Sequence, residues 1–320
     1  MQRQDFFVIT ESVPENERLI ETNDLTKIYS YSSRKALDGV SFKIPSSGIC
    51  VLIGKNGSGK TTLVRILSTE MKPTKGTAVI DGMDVVDNPR AIRERIAIVP
   101  QEARTLNWAT PRQTIFSYLL WRGFSRREAR ERTDEAIDLL NIRTFADSLN
   151  RNLSGGMKRK VLVATVLASE ADIIFMDEPT TGLDPISRRE FWSILEETSK
   201  KRFVFLTTHY LEEAESLASE IAILESGMLI GTGTLDELRK RMKYSFSVRI
   251  MDTAKYVESY SRNGIAIRDE EGVRIFLSEE DAYELSRSLS KDGIRYTINP
   301  LSLEDIFFYM VSGNGAAAQI

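Results

Sequence analysis

Only one cysteine, Cys50, occurs in the 320 residues. A single thiol can form no internal disulfide and no cysteine metal cluster. Its place inside the apolar stretch 49–53 makes it a small buried strand residue. Long apolar runs are also missing. A membrane-crossing helix needs about 20 consecutive apolar residues, and a candidate such as 161–168 falls far short. The first ten residues mix Arg3 and Asp5 with the brief run 6–9 and show no export core or small-residue cleavage site. The chain is therefore expected neither to span a membrane nor to be exported. A surplus of positive charge is absent too. Lys and Arg total 43 against 46 for Asp and Glu, a net charge of -3. That balance argues against a general nucleic-acid binder. Histidine occurs once, as His209.

What is present is ordinary in bulk and specific in detail. Hydrophobic residues make up 42% and charged residues 28%, as in a soluble globular protein. Residues 1–18 are polar and contain Pro14, and read as an N-terminal extension, a tether or an edge strand. From Leu19 the pattern becomes regular. The apolar runs 50–53, 173–176, 203–206 and 221–224 have strand length, with helical stretches between them. Buried strands alternating with helices predict an α/β fold built on a mostly parallel sheet. This main domain is placed at 19–242. Between about 102 and 170 it carries an all-helical insert, where Ser125 and Glu128 form a capping box.

A second module is expected at 243–311. Strands are predicted at 244–250, 265–268, 273–277 and 294–298, and helices at 254–261 and 278–289. The order β-α-β-β-α-β is that of a small α+β, ferredoxin-like sandwich. Residues 269–272 fit a hairpin turn. A last helix starts at Ser302, with Asp305 at its third position. Residues 312–320 read as a disordered tail.

Chemistry enters with Gly54-Lys55-Asn56-Gly57-Ser58-Gly59-Lys60-Thr61, between an apolar strand and a helix. This is a phosphate-binding loop in its required strand–loop–helix setting. Its glycines let the backbone wrap around phosphate oxygens with amides pointing inward. Lys60 is placed to reach the β- and γ-phosphates, the Thr61 hydroxyl to ligate Mg²⁺, and Thr62 to touch the α-phosphate. The loop alone says "nucleoside triphosphate" and does not separate a kinase, a GTPase or a transport ATPase.

A second feature is the strand 173–176 ending in Asp177-Glu178-Pro179. The strand carries Asp177 to the Mg²⁺ site. Glu178 then lies near the γ-phosphate, where it can act on the attacking water as general base. The third feature is Leu153-Ser154-Gly155-Gly156-Met157, which opens a helix. Ser154 is a good N-cap, and the glycines leave first-turn amides exposed. The chain thus has two anion-binding helix ends. The second makes sense if it serves a neighbouring molecule.

These motifs resemble the ATP-binding cassette ATPases, from about Leu19 to Leu238. The family signature is LSGGQ and this chain has LSGGM, a mild departure similar to variants in cassettes paired with export-type permeases. Lys158 and Arg159 fit the same pattern. The resemblance implies a P-loop NTPase cassette: a RecA-like sheet core, an antiparallel β part and a helical subdomain. Residue by residue, Tyr29 resembles the aromatic that stacks on adenine. Gln101 looks like the Q-loop residue that joins Mg²⁺ to the insert. Asp184, in Gly182-Leu183-Asp184-Pro185, resembles the D-loop that crosses a dimer seam. His209 resembles the switch histidine that contacts the γ-phosphate. The implied working unit is a head-to-tail homodimer or heterodimer of cassettes that hydrolyses ATP with Mg²⁺.

The resemblance also implies an integral membrane permease as partner, with the chain peripheral on the cytoplasmic face of the membrane. The segment 104–111, with Trp108, differs from the acid- and Leu-rich version in similar subunits and is the expected contact. The alternative is a soluble cassette ATPase of translation, repair or chromosome work. Such proteins usually carry two cassettes, long coiled coils or zinc modules, and none of these is found here. The module at 243–311 resembles accessory domains of export-type subunits. No nucleic-acid partner is expected.

Overall fold

A computed structural model describes residues 19–30, 34–251, 265–269 and 272–313. It begins with β1 (Leu19–Ile28), β2 (Lys35–Pro45), β3 (Ile49–Ile53) and α1 (Lys60–Leu67). β4 (Lys75–Ile80), β5 (Met83–Asp84), α2 (Pro89–Arg95) and β6 (Ile96–Val99) follow. Three helices come next: α3 (Pro111–Trp121), α4 (Arg126–Leu139) and α5 (Gly155–Leu167). Then come β7 (Ile173–Asp177), α6 (Pro185–Ser199), β8 (Phe203–Thr208), α7 (Leu211–Leu217), β9 (Glu220–Glu225), β10 (Met228–Gly233) and α8 (Leu235–Lys240). The last described elements are β11 (Phe246–Ile250), β12 (Ile265–Asp269), β13 (Gly272–Leu277), α9 (Glu279–Lys291), β14 (Tyr296–Pro300) and α10 (Leu303–Gly313).

The strands form three sheets among the described residues. The largest has the order β10-β9-β3-β8-β7-β6, parallel from β9 to β6 with β10 antiparallel at one edge. A second, antiparallel sheet has the order β2-β1-β4-β5. The third, also antiparallel, has the order β12-β13-β11-β14.

Alternation along the parallel strands sorts their side chains into two cores. Ile49, Val51 and Ile53 of β3 face one core with Ile174, Met176, Val204 and Leu206. Cys50 and Leu52 face the other with Ile173, Phe175, Phe203 and Phe205. Strands buried on both faces read as unbroken apolar runs, which is why the sequence shows no polar alternation here. The first core is roofed by α3 to α7 and the second by α1, α2 and the antiparallel sheet. Burial pushes the Cys50 thiol far above its ordinary value, with Glu220 adding to the effect. Cys50 is therefore a neutral packing residue in β3.

The insert is helical as expected, with α3, α4 and α5 packed on one another. Ser125 and Glu128 form the anticipated reciprocal cap on α4. Trp108 and Trp121 stand outside its core, 73% and 80% exposed.

In the third sheet the strand order is 4-1-3-2 when its strands are counted from β11, and α9 covers one face through Ala282, Leu285 and Leu289. The helix anticipated at 254–261 lies outside the described residues, as do 1–18, the middle of the 269–272 turn and 314–320. The strand expected at 294–298 begins two residues later, because Gly293 (φ 67°) closes the end of α9 first. Ser302 and Asp305 cap α10 reciprocally, and α10 runs to Gly313, so residues 312–313 are helical rather than part of the tail.

The packing divides the chain differently from the expected boundary at 243. Tyr244, Phe276, Leu301, Leu303 and Ile306 belong to the main core beside α7 and α8. Arg239 Nε donates to Leu301 O at 2.8 Å. α10 thus packs on the core of the main domain, and the third sheet with α9 has a core of its own.

Candidate nucleotide-binding and hydrolysis site

Four neighbouring parallel strands, β3, β8, β7 and β6, deliver the candidate residues from one edge of the sheet. Gly54 follows β3, His209 follows β8, Glu178 follows β7 and Gln101 lies just past β6. Ligands of open α/β sheets bind at these carboxyl ends.

The loop after β3 needs its glycines. Gly59 has φ 110°, and a Cβ there would lie 2.5 Å from Ala36 O. A Cβ on Gly54 would meet Leu224 O at 2.3 Å. The Lys60 side chain is buried and folds back, donating to Gly54 O at 2.8 Å and Lys55 O at 3.2 Å. Burial lowers its pKa from the ordinary lysine value, and the charges of Glu178 and Asp177 oppose that shift. Ser58 Oγ is buried and has no hydrogen-bond partner among the described residues. An orphaned hydroxyl costs about 1–3 kcal/mol, and a phosphate oxygen is the acceptor this loop is shaped to bring it. A cavity of about 280 Å³ is lined by Asn56, Gly57, Gly59, Lys60, Thr61, Thr62, Gln101 and Glu178. Tyr29 follows β1, and its Oη lies 3.1 Å from Thr62 Oγ1 beside this cavity.

Glu178 is the meeting point of the candidates. Its Oε2 accepts from Gln101 Nε2 at 3.3 Å and Thr181 Oγ1 at 3.3 Å, and lies 3.4 Å from His209 Nδ1. Its Oε1 lies 3.7 Å from Lys60 Nζ. The backbone of Glu178 is left-handed, with φ 50°, a conformation that costs an L-residue roughly 1–2 kcal/mol. Thr207 offsets part of this, because its O and Oγ1 both accept from Glu178 N at 3.1 Å. Asp177 is buried and accepts from Thr207 Oγ1. Thr61 Oγ1 donates to Gln101 Oε1 at 3.3 Å. Thr61, Gln101 and Asp177 therefore offer the hard oxygen donors that suit Mg²⁺.

Two expected elements make none of these contacts, although Gly155 lines a neighbouring cavity of about 550 Å³ with Gln101, Glu178 and Thr181. Ser154 caps α5, its Oγ accepting from Met157 N at 3.2 Å, and Ser154 and Gly155 are exposed. Leu153 is buried in the core, and Gly156 packs near Leu183. None of the five signature residues lines the phosphate cavity. Asp184 caps α6 by accepting from Ile186 N and Ser187 N, and those amides hold its carboxyl below the usual range.

Two contributors, Glu213 and Arg188, were not singled out from the sequence, and a third, Arg159, was noted only as fitting the signature pattern, with no role given. Arg159 is buried under the end of β7 and donates to main-chain carbonyls there. It sits at the i position of the buried stripe Arg159, Val163 and Val166, so a cation on an apolar face was the available signal. Glu213 is fully buried, accepting from Thr180 Oγ1 and Trp192 Nε1, each at 3.0 Å. Arg188 stacks on Tyr210 at 4.1 Å, and Tyr210 in turn lies 4.1 Å from the His209 ring.

A phosphate loop, an acidic strand end and a polar residue after each neighbouring strand define a P-loop nucleoside triphosphatase. Comparison with known proteins narrows the class. A family model described as ABC transporter matches residues 37–181. The chain is 37% identical to a daunorubicin/doxorubicin resistance ATP-binding protein of Streptomyces peucetius, over 70% of this chain and 68% of that protein. It is 30% identical to the Nod factor export ATP-binding protein I of Paraburkholderia xenovorans, over 91% of this chain and 96% of that protein. Among solved structures, an ATP-binding subunit of an ABC transporter is similar at TM-score 0.63 and 27% identity, covering 70% of this chain and 92% of that one. A dimeric post-hydrolysis cassette bound to ADP and Pi is similar at TM-score 0.63 and 26% identity, covering 68% and 98%. The chain belongs to the ATP-binding subunits of ABC transporters, and it is an ATPase.

Proposed function

We propose that the chain hydrolyses ATP within a head-to-tail pair of cassettes and so drives a separate integral membrane permease, in the export direction. The observation that carries this reading is the convergence of Lys60, Gln101, Thr181 and His209 on the Glu178 carboxylate. ATP places its phosphates in the loop 54–61, where the Ser58 hydroxyl and the loop amides donate to them. Lys60 reaches the β- and γ-phosphates, Thr62 the α-phosphate, and Tyr29 stacks on adenine. Glu178 takes the proton of the attacking water, whose oxygen bonds to the γ-phosphorus. The bond to the bridging oxygen breaks, and ADP leaves with that electron pair. General-base help of this kind is worth about 10² to 10⁴ in rate. His209 and Gln101 keep the carboxylate aimed and sense the γ-phosphate. Thr61, Gln101 and Asp177 would hold Mg²⁺, which when bound neutralises charge on the transferred group.

Leu153 to Met157 serve the partner's nucleotide. Ser154 and Gly155 are exposed and no signature residue lines the chain's own phosphate cavity, which supports that assignment. Asp184 faces the seam between cassettes. ATP bridges both halves, and hydrolysis removes the bridge. Transport rather than soluble ATPase work is supported by relatives such as the Nod factor export protein. No helix among the described residues is long and apolar enough to cross a membrane; in this reading the pore belongs to a partner. We place the chain on the cytoplasmic face of that membrane, with the exposed Trp108 surface of the insert against the permease and the sheet of β11–β14 as an accessory module.

Glu178→Gln is expected to keep ATP binding, to lose about 10²-fold or more of turnover and to accumulate a dimer with ATP on size-exclusion chromatography. A monomer at saturating ATP, or unimpaired turnover, would overturn the scheme. Co-purification of a multi-span protein from detergent-solubilised membranes tests the permease.

A further inference from the structure

Arg159 lies two residues beyond Met157, on the helix whose first turn carries the signature. It is only 8% exposed. A buried guanidinium needs its N–H groups satisfied, and here main-chain carbonyls do so. Nη2 donates to Asp177 O at 2.5 Å and to Glu178 O at 2.8 Å. Nε donates to Pro179 O at 3.1 Å, and Nη1 to Pro100 O at 3.2 Å. One side chain thus joins three segments: the signature helix, the loop carrying Gln101 and the end of β7.

The arrangement explains how Glu178 keeps its left-handed backbone. Its carbonyl is held by Arg159, while its carboxylate meets Lys60, Gln101, Thr181 and His209. Thr207 fixes its amide from the neighbouring strand. With the amide and carbonyl both anchored, the direction of the side chain is set. Burial pulls the Arg159 pKa below the ordinary arginine value, against the opposing charges of Asp177 and Glu178. Arginine remains protonated at any working pH. A lysine could not do the same work, because three donors on a point charge do not match a planar fork that reaches four carbonyls.

We infer that Arg159 is a positioning residue for hydrolysis: it aims Glu178 and couples that aim to the helix that grips the partner's nucleotide. The inference rests on the reading of Glu178 as general base. Every hydrogen bond Arg159 makes among the described residues goes to a main-chain carbonyl. It acts through the backbone of 177–179, and through Pro100 it ties the same grip to the Gln101 loop. Movement of α5 with the insert then moves the glutamate's support, so a displaced signature helix loosens the base of its own cassette.

The test is a double-mutant cycle on the full chain, read as steady-state kcat and KM for ATP, with Arg159→Lys, Glu178→Gln and both together. Arg159→Lys keeps the charge and most of the volume. A 1 Å misplacement of a reacting group can cost about 10²-fold in rate, so kcat is expected to fall by about tenfold or more, with KM within about twofold. On the Glu178→Gln background, where no base remains to be aimed, the same change is expected to alter the residual rate by less than about threefold. An equal factor in both backgrounds would mean a general structural role and would overturn the inference. So would a KM effect without a kcat effect. If Glu178→Gln alone leaves turnover near wild type, the general-base reading fails first, and the cycle shows that separately. Arg159→Gln serves as a second variant, with binding of a fluorescent ATP analogue to show that it is folded. It is expected to lose more kcat than Arg159→Lys, and a smaller loss would count against the planar-fork argument and the inference with it.

Discussion

Glu213 sits on the inner face of α7, fully buried against Trp192 of α6. Burial raises its pKa above the ordinary 4.5, and hydrogen bonds from Thr208, Trp192 and Thr180 oppose the rise. The protonated form is therefore favoured by folding. Stability from that preference is fully present below the unfolded value and is lost as pH rises through the raised folded value. The stability difference between wild type and Glu213→Gln is thus expected to shrink as pH rises from about 4.5. Urea unfolding of both proteins across pH 5 to 8 measures it, and a flat or growing difference would defeat the argument. Glu213 was hidden in the sequence because Leu211-Glu212-Glu213-Ala214-Glu215 reads as a solvated acidic helix, and only packing shows which acid turns inward. Lys60, Asp177 and His209 were legible because each ends or follows an apolar run, and a chain that crosses a buried sheet must deliver its next polar residue to the edge. Arg159 was partly legible, as the sole cation on its helix stripe.

The loop between β3 and α1 is an element whose shape depends on two different glycines. Gly57 has φ 80° with open space where a Cβ would go, whereas Gly59 has φ 110° and backbone in the way. Ala at position 57 meets only the positive-φ penalty, roughly 1–2 kcal/mol. Ala at position 59 meets that penalty and must also displace Ala36 O and the Leu37 side chain. Overpacking of this kind costs about 1–3 kcal/mol more. Gly59→Ala is therefore expected to be the more destabilising of the two in urea without nucleotide, and to weaken binding of a fluorescent ATP analogue more. The reverse order would show that the loop is not held against β2 as described. Sequence pattern found this element at once, since strand, glycines and helix follow in a fixed order. It was less exact for β14, whose residues are mostly exposed and so carry little alternation to read.

At the scale of the whole molecule, α10 decides how many folding units there are. One side of β13 points Val273, Ile275 and Leu277 into the core under α9. The other side points Phe276 and Arg274 toward α10, where Arg274 Nη1 donates to Asp305 Oδ1 at 2.8 Å. The far side of α10 covers α7, the helix that begins two residues after His209. Linear reading assigned α10 to a separable module because it follows β14 directly, and no local pattern announces which surface a helix will roof. Leu301, Leu303 and Ile306 are 4%, 0% and 0% exposed. Each such side chain stabilises by about 1.5–3 kcal/mol on burial. Three together approach the roughly 5–15 kcal/mol by which a domain is stable at all. Ending the chain at 242 would also bare Ile230, Leu235 and Met242, which pack on that core. Such a truncated protein is expected to aggregate or to melt at least about 10 °C below the full chain. A soluble fragment with an unchanged melting temperature and full ATP turnover would show that the cassette closes without α10. Loss of both, rescued by restoring α10 through a linker in place of 246–300, would establish the helix as the last piece of the ATPase itself.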